Sequence, residues 1–397
     1  MIYLNQLGML CAIGDSREAI AEAMFAARSG LRTDTRYLPE LALPIGAIGA
    51  LDMIDAGLPS ADHLPLRDRS RNNRLALAAL AQIRPAVDAA IARYGANRVG
   101  VVVGTSTSGI AEGEAALRQY DSDGTLPMHF QYNQQELGSP AAALALTLGI
   151  GGPAYTHSSA CASSAKAMAS AARLINMGLC DAVVSGGIDT LCAFTLAGFG
   201  ALESISGTRC QPFSVNRNGI NIGEAAALFL MSRDEAAVSL LGWGEASDAH
   251  HISAPDPSGR GADLAIRQAL KRAGLRPDQI DYINLHGTAT PQNDAMESQV
   301  VHALFGDRVA ASSTKPLTGH ALGAASAVEA GLCWLAMQDD NPQGKLPPHL
   351  WDGAPDPALP ALQLAAPQQS LGRPLRRVLS NSFAFGGVNA ALIFGRQ

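Results

Sequence analysis

The sequence predicts an α/β protein made of two similar halves. Runs of β-branched and other apolar residues, such as 99–103 and 181–188, alternate with Ala- and Leu-rich helical periods throughout. Such alternation indicates parallel-type sheets covered by helices. The order of elements repeats, with Cys161 and Gly323 each near the start of an Ala-rich helix, which suggests an old duplication. The 397 residues are 47% hydrophobic and only 16% charged, so much surface must be internal, in a large core, an oligomer interface or both. The expected division is an N-terminal half at 1–233 and a C-terminal half at 234–397.

Taken in order, residues 2–13 read as a strand, and Asp15-Ser16-Arg17-Glu18 caps a helix running to Ala27. Residues 31–66 are rich in Pro, Gly and Asp and read as surface loop. A long Ala/Leu helix follows at 71–94, stopped by Gly95, then a buried strand at 99–103 opening onto Gly104-Thr105-Ser106-Thr107-Ser108-Gly109. Residues 111–135 read as polar and irregular, and 140–148 as an apolar helix. A strand-like approach at 151–155 leads to Cys161 and another helix, and 181–188 is a buried strand. Residues 193–206 read as a connection and 223–232 as a strand, with 240–246 pairing beside it. The second half then gives a helix at 259–273 with Leu264, Ile266 and Leu270 on its inner face, a strand at 280–285 and a helix at 294–305. A short strand at 309–312, a helix at 323–338, and closing strands at 377–380 and 388–394 complete it.

Composition excludes several functions. A net charge of −6 argues against a nucleic-acid or anionic-membrane surface. No charged leader followed by an apolar core opens the chain, and no apolar run approaches a membrane span, so a cytoplasmic protein is expected. The six cysteines show no Cys-x-x-Cys pair and no metal spacing. His250-His251 does not suggest a metal either, because adjacent side chains point to different sides.

Cys161 is the candidate nucleophile. It stands where a Gly/Pro-led strand turns into a helix, flanked by small residues that let a substrate come close. A helix N-terminus lowers a thiol's pKa from about 8.5, so an activated thiolate is expected. Taken alone, an unpaired cysteine is more often a small core residue. Three later segments change that balance, each a strand end followed by polar residues on a Gly-containing turn. They are His286-Gly287-Thr288-Ala289-Thr290-Pro291, Lys315-Pro316-Leu317-Thr318-Gly319-His320-Ala321-Leu322-Gly323, and Asn381-Ser382-Phe383-Ala384-Phe385-Gly386-Gly387-Val388-Asn389. Ligands gather at the carboxyl ends of strands in α/β sheets, so these turns can converge on Cys161.

That ordered set of Cys, His and His motifs, spanning nearly the whole chain, resembles the elongating β-ketoacyl-acyl carrier protein synthases of the thiolase-like superfamily. The resemblance implies a thiolase-like, five-layered αβαβα duplication, forming a homodimer or a heterodimer with a ketosynthase-like partner. It implies decarboxylative condensation of an acyl group held on Cys161 with a malonyl-acyl carrier protein. His286 and His320 would then serve the enolate, Lys315 and Glu329 would support His320, and Phe385 with Gly386 and Gly387 would form the oxyanion and gate loop. Thr288 and Thr290 would hold the pantetheine arm, and Thr107 would line the acyl pocket. No cofactor or metal is implied beyond the carrier protein's own phosphopantetheine.

Departures from the family's pattern point to a specialised synthase of a polyene or polyketide type. Gln211-Pro212-Phe213-Ser214 and Arg217-Asn218-Gly219-Ile220 lack charges the family usually has there. Lys166 stands where histidine is frequent, Ala384 replaces a glycine of the gate, and Thr107 replaces a larger apolar residue. A non-catalytic chain-length-factor-like subunit is the alternative, opposed by the presence of Cys161, His286 and His320. A thiolase acting on CoA esters would want a second cysteine in 381–389, and there is none.

Overall fold

The computed structural model describes residues 1–49, 55 and 57–396. The N-terminal half contains β1 (Ile2–Cys11), α1 (Arg17–Phe25), β2 (Arg32–Asp34), β3 (Leu43–Ile45), α2 (Arg71–Tyr94), β4 (Val99–Gly104), α3 (Ile110–Asp123), α4 (Ser139–Leu148), β5 (Ala154–His157), α5 (Ser163–Asn176), β6 (Ala182–Asp189), α6 (Ala193–Ala201) and β7 (Ala225–Ser232). The C-terminal half contains β8 (Val238–Ser247), α7 (Arg260–Ala273), β9 (Tyr282–Asn284), α8 (Pro291–Phe305), β10 (Ala310–Ser312), α9 (Lys315–Thr318), α10 (Ala325–Ala336), β11 (Gln363–Leu364), β12 (Arg377–Ala384) and β13 (Val388–Arg396).

Eleven strands form one sheet in the order β11-β10-β9-β12-β13-β8-β1-β7-β6-β4-β5, and β2 pairs with β3 separately. Leaving aside that hairpin and the edge strand β11, the two halves have the same order. β5-β4-β6-β7-β1 matches β10-β9-β12-β13-β8, strand for strand, which makes the duplication visible. The halves meet at β1 and β8 over only two antiparallel pairs, Ile2 with Leu240 and Tyr3 with Ser239. Helices α2 and α4 cover one face of the N-terminal sheet, and α7 and α8 cover the far face of the C-terminal sheet. Between the sheets lie α5 and α10, packed on each other and touching strands of both halves. Five layers result.

Local chemistry accounts for the elements that frame the site. Ser70 caps α2 by accepting from the Asn73 N–H at 3.1 Å, and Gly95 ends it. Leu75, Leu80, Ile83 and Val87 of α2 are buried against the N-terminal sheet. It is the one described helix long and apolar enough to cross a membrane, and this packing is that of a core helix. Strand β4 is buried along its length, as a strand covered on both faces must be. Its last residue is Gly104, where a Cβ would fall 2.4 Å from the Ser164 nitrogen, so β4 can press against the start of α5.

Six expectations need correction. The sheets are mixed rather than parallel: the pairs joining β6, β7, β1, β8, β13 and β12 are antiparallel, with parallel pairs outside them. Strand β8 pairs with β1 and β13, not with β7, because β1 inserts between them. Residues 110–123 form α3, not an irregular stretch. Only Gly113 and Ala116 of α3 are buried, so it shows no apolar period to read. Residues 193–201 form α6, not a connection. Its start is capped from afar: the Glu114 carboxylate of α3 accepts from the Ala193 N–H at 3.0 Å and from the Phe194 N–H. On α7 the buried face is Ala262, Ala265, Ile266, Ala269 and Leu270, while Leu264 is exposed. The loop expected at 31–66 contains the β2–β3 hairpin; its residues 50–54 and 56 lie outside the described residues.

Candidate active site

A sharp elbow presents the sulfur. Strand β5 ends at His157, and Ala160 adopts φ +46°, a left-handed conformation uncommon for a residue with a Cβ. Ser163 holds the bend, donating to the Ala160 carbonyl at 2.6 Å and accepting from the Ser159 N–H at 2.8 Å. Cys161 follows just ahead of α5, which starts at Ser163. Two contacts fasten this elbow to the next half: Ser326 donates to the Cys161 carbonyl at 2.9 Å, and Ser164 accepts from the Ala327 N–H at 2.9 Å.

The second half supplies two histidines. His320 Nε2 lies 3.1 Å from Cys161 Sγ, and its ring meets that of His286 edge-on, with centroids 5.5 Å apart. The far nitrogens of both rings act as acceptors. Leu322 N–H donates to His320 Nδ1 at 3.2 Å, and Lys315 Nζ donates to His286 Nδ1 at 3.4 Å. A neutral imidazole whose Nδ1 accepts carries its proton on Nε2. Both rings therefore offer an N–H at Nε2, and that of His320 faces the sulfur.

Lys315 also donates to the His286 carbonyl and to Glu329 Oε1, and all three residues are buried. Its hydrogen bonds thus run to His286, while it acts on His320 by charge alone, which refines the expectation that it supports His320. Burial holds both histidines well below the ordinary pKa, helped by the charge of Lys315, so they remain neutral at physiological pH. Burial raises the Glu329 carboxyl against the lowering effect of Lys315. The thiolate expectation is reversed in direction: burial pushes the Cys161 thiol up to about 11, only partly offset by Lys315 and by the Phe385 and Cys161 N–H groups.

Models of the β-ketoacyl synthase N-terminal and C-terminal domains match residues 7–237 and 237–350. The chain belongs to the β-ketoacyl synthase family. It is a condensing enzyme of the 3-oxoacyl-acyl carrier protein synthase type with a thiolase-like fold. It is 30% identical to the 3-oxoacyl-[acyl-carrier-protein] synthase 2 of Synechocystis sp., over 99% of this chain and 97% of the relative. Among solved structures it resembles the ketosynthase ApeO in complex with its chain length factor ApeC from Xenorhabdus doucetiae. The TM-score is 0.91 and the identity 47%, covering 100% of this chain and 98% of the other. The ishigamide ketosynthase/chain length factor gives a TM-score of 0.87 at 27% identity, covering 100% and 99%.

The cleft of this ketosynthase brings together Cys161, His286, His320, Thr288, Thr290 and Phe385. Thr288 and Thr290 are hydrogen-bonded to each other at 2.9 Å. Gly386 and Gly387 take φ +78° and +72°, which the sharp turn after Phe385 requires. Ala384 is extended at φ −109°, so replacing glycine there introduces no backbone strain. Thr107 is not among the residues lining the cleft. Its hydroxyl donates to Asp189 Oδ1 at 2.7 Å and accepts from the Thr190 N–H at 3.1 Å. Lys166 faces Glu245 at 3.9 Å, and Arg217 pairs with Asp356 at 2.6 Å. The Gln211 Oε1 is buried and has no hydrogen-bond partner among the described residues. His251 Nδ1 accepts from the Ser253 N–H at 3.1 Å, a local turn contact.

Several site residues escaped the sequence reading. Phe199 of α6 stacks on Phe385 with centroids 5.4 Å apart, and it lay in a stretch read as connection. Glu297 of α8 accepts from the His286 and Gly287 N–H groups at 2.8 and 2.7 Å, and burial pushes its carboxyl up to about 7. Asp294, one turn earlier, accepts from the Phe213 N–H at 2.8 Å and is raised to about 6 for the same reason. Two carboxylates three residues apart, on the helix that follows the His286 turn, were the available signal. Cys161, His286 and His320 place one ligand-type atom each within 4.8 Å of the others, a set whose softness would suit zinc. They do not fit a metal, because both Nε2 atoms hold protons and Lys315 sets a positive charge beside His286. Metal-binding histidines instead donate from the far nitrogen.

Proposed function

We propose that Cys161 carries the growing acyl chain and that His286 and His320 serve the condensation. The single observation that carries this reading is His320 Nε2 at 3.1 Å from Sγ with Nδ1 already occupied by a backbone donor. Cys161 sulfur attacks the acyl thioester on a carrier protein's phosphopantetheine. The carbon–sulfur bond to the arm breaks, and the arm's thiol leaves with the proton from Cys161. The Cys161 and Phe385 N–H groups stabilise the tetrahedral oxyanion. A malonyl-carrier then binds, its arm held by Thr288 and Thr290, and its carboxylate departs as carbon dioxide. The electrons of the broken bond form an enolate whose oxygen accepts from Nε2–H of both histidines. That carbanion attacks the acyl carbonyl, the bond to Cys161 sulfur breaks, and a 3-oxoacyl-carrier two carbons longer is released. Lys315 and Glu329 hold His286 in the required tautomer. No cofactor or metal takes part.

Residues 1–233 supply the nucleophile elbow and 234–397 the histidines. The working protein is a cytoplasmic homodimer, or a heterodimer with a ketosynthase-like partner. The complexes with chain length factors named for the two structural neighbours support the second form. Exposed apolar side chains at Leu117, Tyr120, Tyr132 and Phe194 are compatible with either form. The chain elongated is a polyenoyl or polyketide-type acyl group on a carrier protein.

The test is intact-mass measurement after incubation with acyl- and malonyl-carriers, with and without the copurified partner, beside Cys161→Ala. An acyl adduct on wild type alone and a product two carbons longer are expected. Absence of both, with every carrier and with the partner present, would favour the non-catalytic chain-length-factor-like role. Preference for saturated over polyenoyl chains would remove the pathway assignment only.

A further inference from the structure

The stretch 211–222 departs from the family's charged pattern, and Asn221 is the buried side chain that organises it here. Its Oδ1 accepts from the Cys210 N–H at 2.7 Å, and its Nδ2 donates to the carbonyls of Ser206 at 3.1 Å and Thr208 at 2.9 Å. One uncharged amide therefore closes the whole turn 206–210. The backbone of the same residue holds a histidine of the active site. The His320 N–H donates to the Asn221 carbonyl at 2.7 Å, and the Gly223 N–H donates to the His320 carbonyl at 2.9 Å. The preceding residue, Ile220, lines the cleft and is bonded on both sides, to Ser204 and Ser206, at 2.8 Å.

The turn reaches the other histidine as well. Beyond Cys210 the chain arrives at Phe213, whose N–H is fixed by Asp294 and whose ring abuts Gly287, where a Cβ would come within 3.0 Å. Asn221 thus stands between the backbone of His320 and the turn that carries His286. Valine has nearly the same shape, and would take their partner from the N–H of buried Cys210, the carbonyl of buried Ser206 and the carbonyl of exposed Thr208. The turn would then have to move, and with it the strand to which His320 is tied.

We propose that Asn221 is a positioning residue for condensation: its amide fixes the segment that sets His320 Nε2 against Cys161 Sγ. This rests on the roles given above to Cys161 and His320. The test compares wild type, Asn221→Val and Cys161→Ala in kcat and KM for malonyl-carrier, and in the pH profile of Cys161 alkylation by iodoacetamide for the first two. In Asn221→Val, kcat is expected to fall about 10- to 100-fold through misplacement of His320, with KM little changed. The alkylation profile should move to higher pH, because the thiolate loses the Nε2–H donor. A purely structural residue would lower the melting temperature and leave both readouts of the folded protein as in wild type. That result overturns the proposal. Should Asn221→Val not fold, Asn221→Thr, which keeps one polar atom in place, is judged by the same two readouts. Condensation by Cys161→Ala at the wild-type rate would refute the underlying reading, whereas an unaltered Asn221→Val refutes only the role of Asn221.

Discussion

Replacing Lys315 by methionine separates support of the fold from support of the chemistry. The ammonium faces Glu329 and His286 together, all of them buried. Removing one member of a buried ion pair costs about 3–5 kcal/mol, mostly from the carboxylate left behind. Burial already favours the protonated form of Glu329, so without Lys315 it takes up a proton. The chemical loss is separate. With Nδ1 freed, His286 no longer keeps its proton at Nε2, and loss of one preorganised donor costs roughly 10²- to 10³-fold in kcat, ~3–4 kcal/mol. Cys161 responds too. Burial raises its thiol and Lys315 lowers it, so without the lysine the alkylation profile should move to higher pH. Adding Glu329→Gln should restore much of the melting temperature and none of the decarboxylation. The assays are release of carbon dioxide from malonyl-carrier, alkylation against pH, and thermal unfolding. Decarboxylation at the wild-type rate by a folded Lys315→Met, or a profile shifted to lower pH, would refute this account of the pair.

Three further outcomes are expected. His349 accepts from the Ser313 N–H at 3.0 Å, contacts the Pro212 carbonyl at 3.0 Å, and is pushed down to about 4 by burial. Its unfolded pKa is about 6.5, so the stability it contributes is full above that value and is lost as pH falls toward 4. Chemical denaturation should show wild type losing about 2 kcal/mol more than His349→Gln between pH 7.5 and 5; equal losses would contradict the buried neutral form. Thr107→Val should cost about 1–3 kcal/mol by leaving Asp189 short of a donor, with chain-length preference unchanged in a product-profile assay. A changed product length with no loss of stability would return Thr107 to the acyl pocket. Thr290→Val should raise KM for the carrier substrate and leave kcat alone in steady-state kinetics, as expected where an interaction serves ground state and transition state equally.

What could be read from the sequence followed the strength of local signals. α2 was legible to the residue because its Ala/Leu period and Gly95 agree, in spite of Pro85 within it. Cys161, His286 and His320 were legible because each lies on a turn whose glycines and prolines punctuate the chain. α3 and α6 were not, since one is nearly all exposed and the other takes its cap from a glutamate 79 residues away. The partner of β8 could not be foreseen, because β1 enters between it and β7 from the far end of the chain. The hydrogen bond of Lys315 to His286 was missed for a related reason: His320 is near it in sequence and feels its charge, but its ammonium reaches back to a turn 29 residues earlier. The direction of the Cys161 shift failed because a helix-end argument sees the dipole and not the desolvation. Glu297 and Asn221 act through backbone groups of distant turns, which residue type alone does not disclose.

The two halves meet in their sheets over a seam of two residue pairs, while Ser326 and Ala327 of α10 fasten to the Cys161 carbonyl and to Ser164 of α5. The repeats are therefore braced through this one elbow, α10 serving as its jig. Once one copy kept the nucleophile and the other the imidazoles, neither could drift alone. A shift of α5 or α10 by a fraction of an ångström in either repeat misaligns sulfur and donor at once.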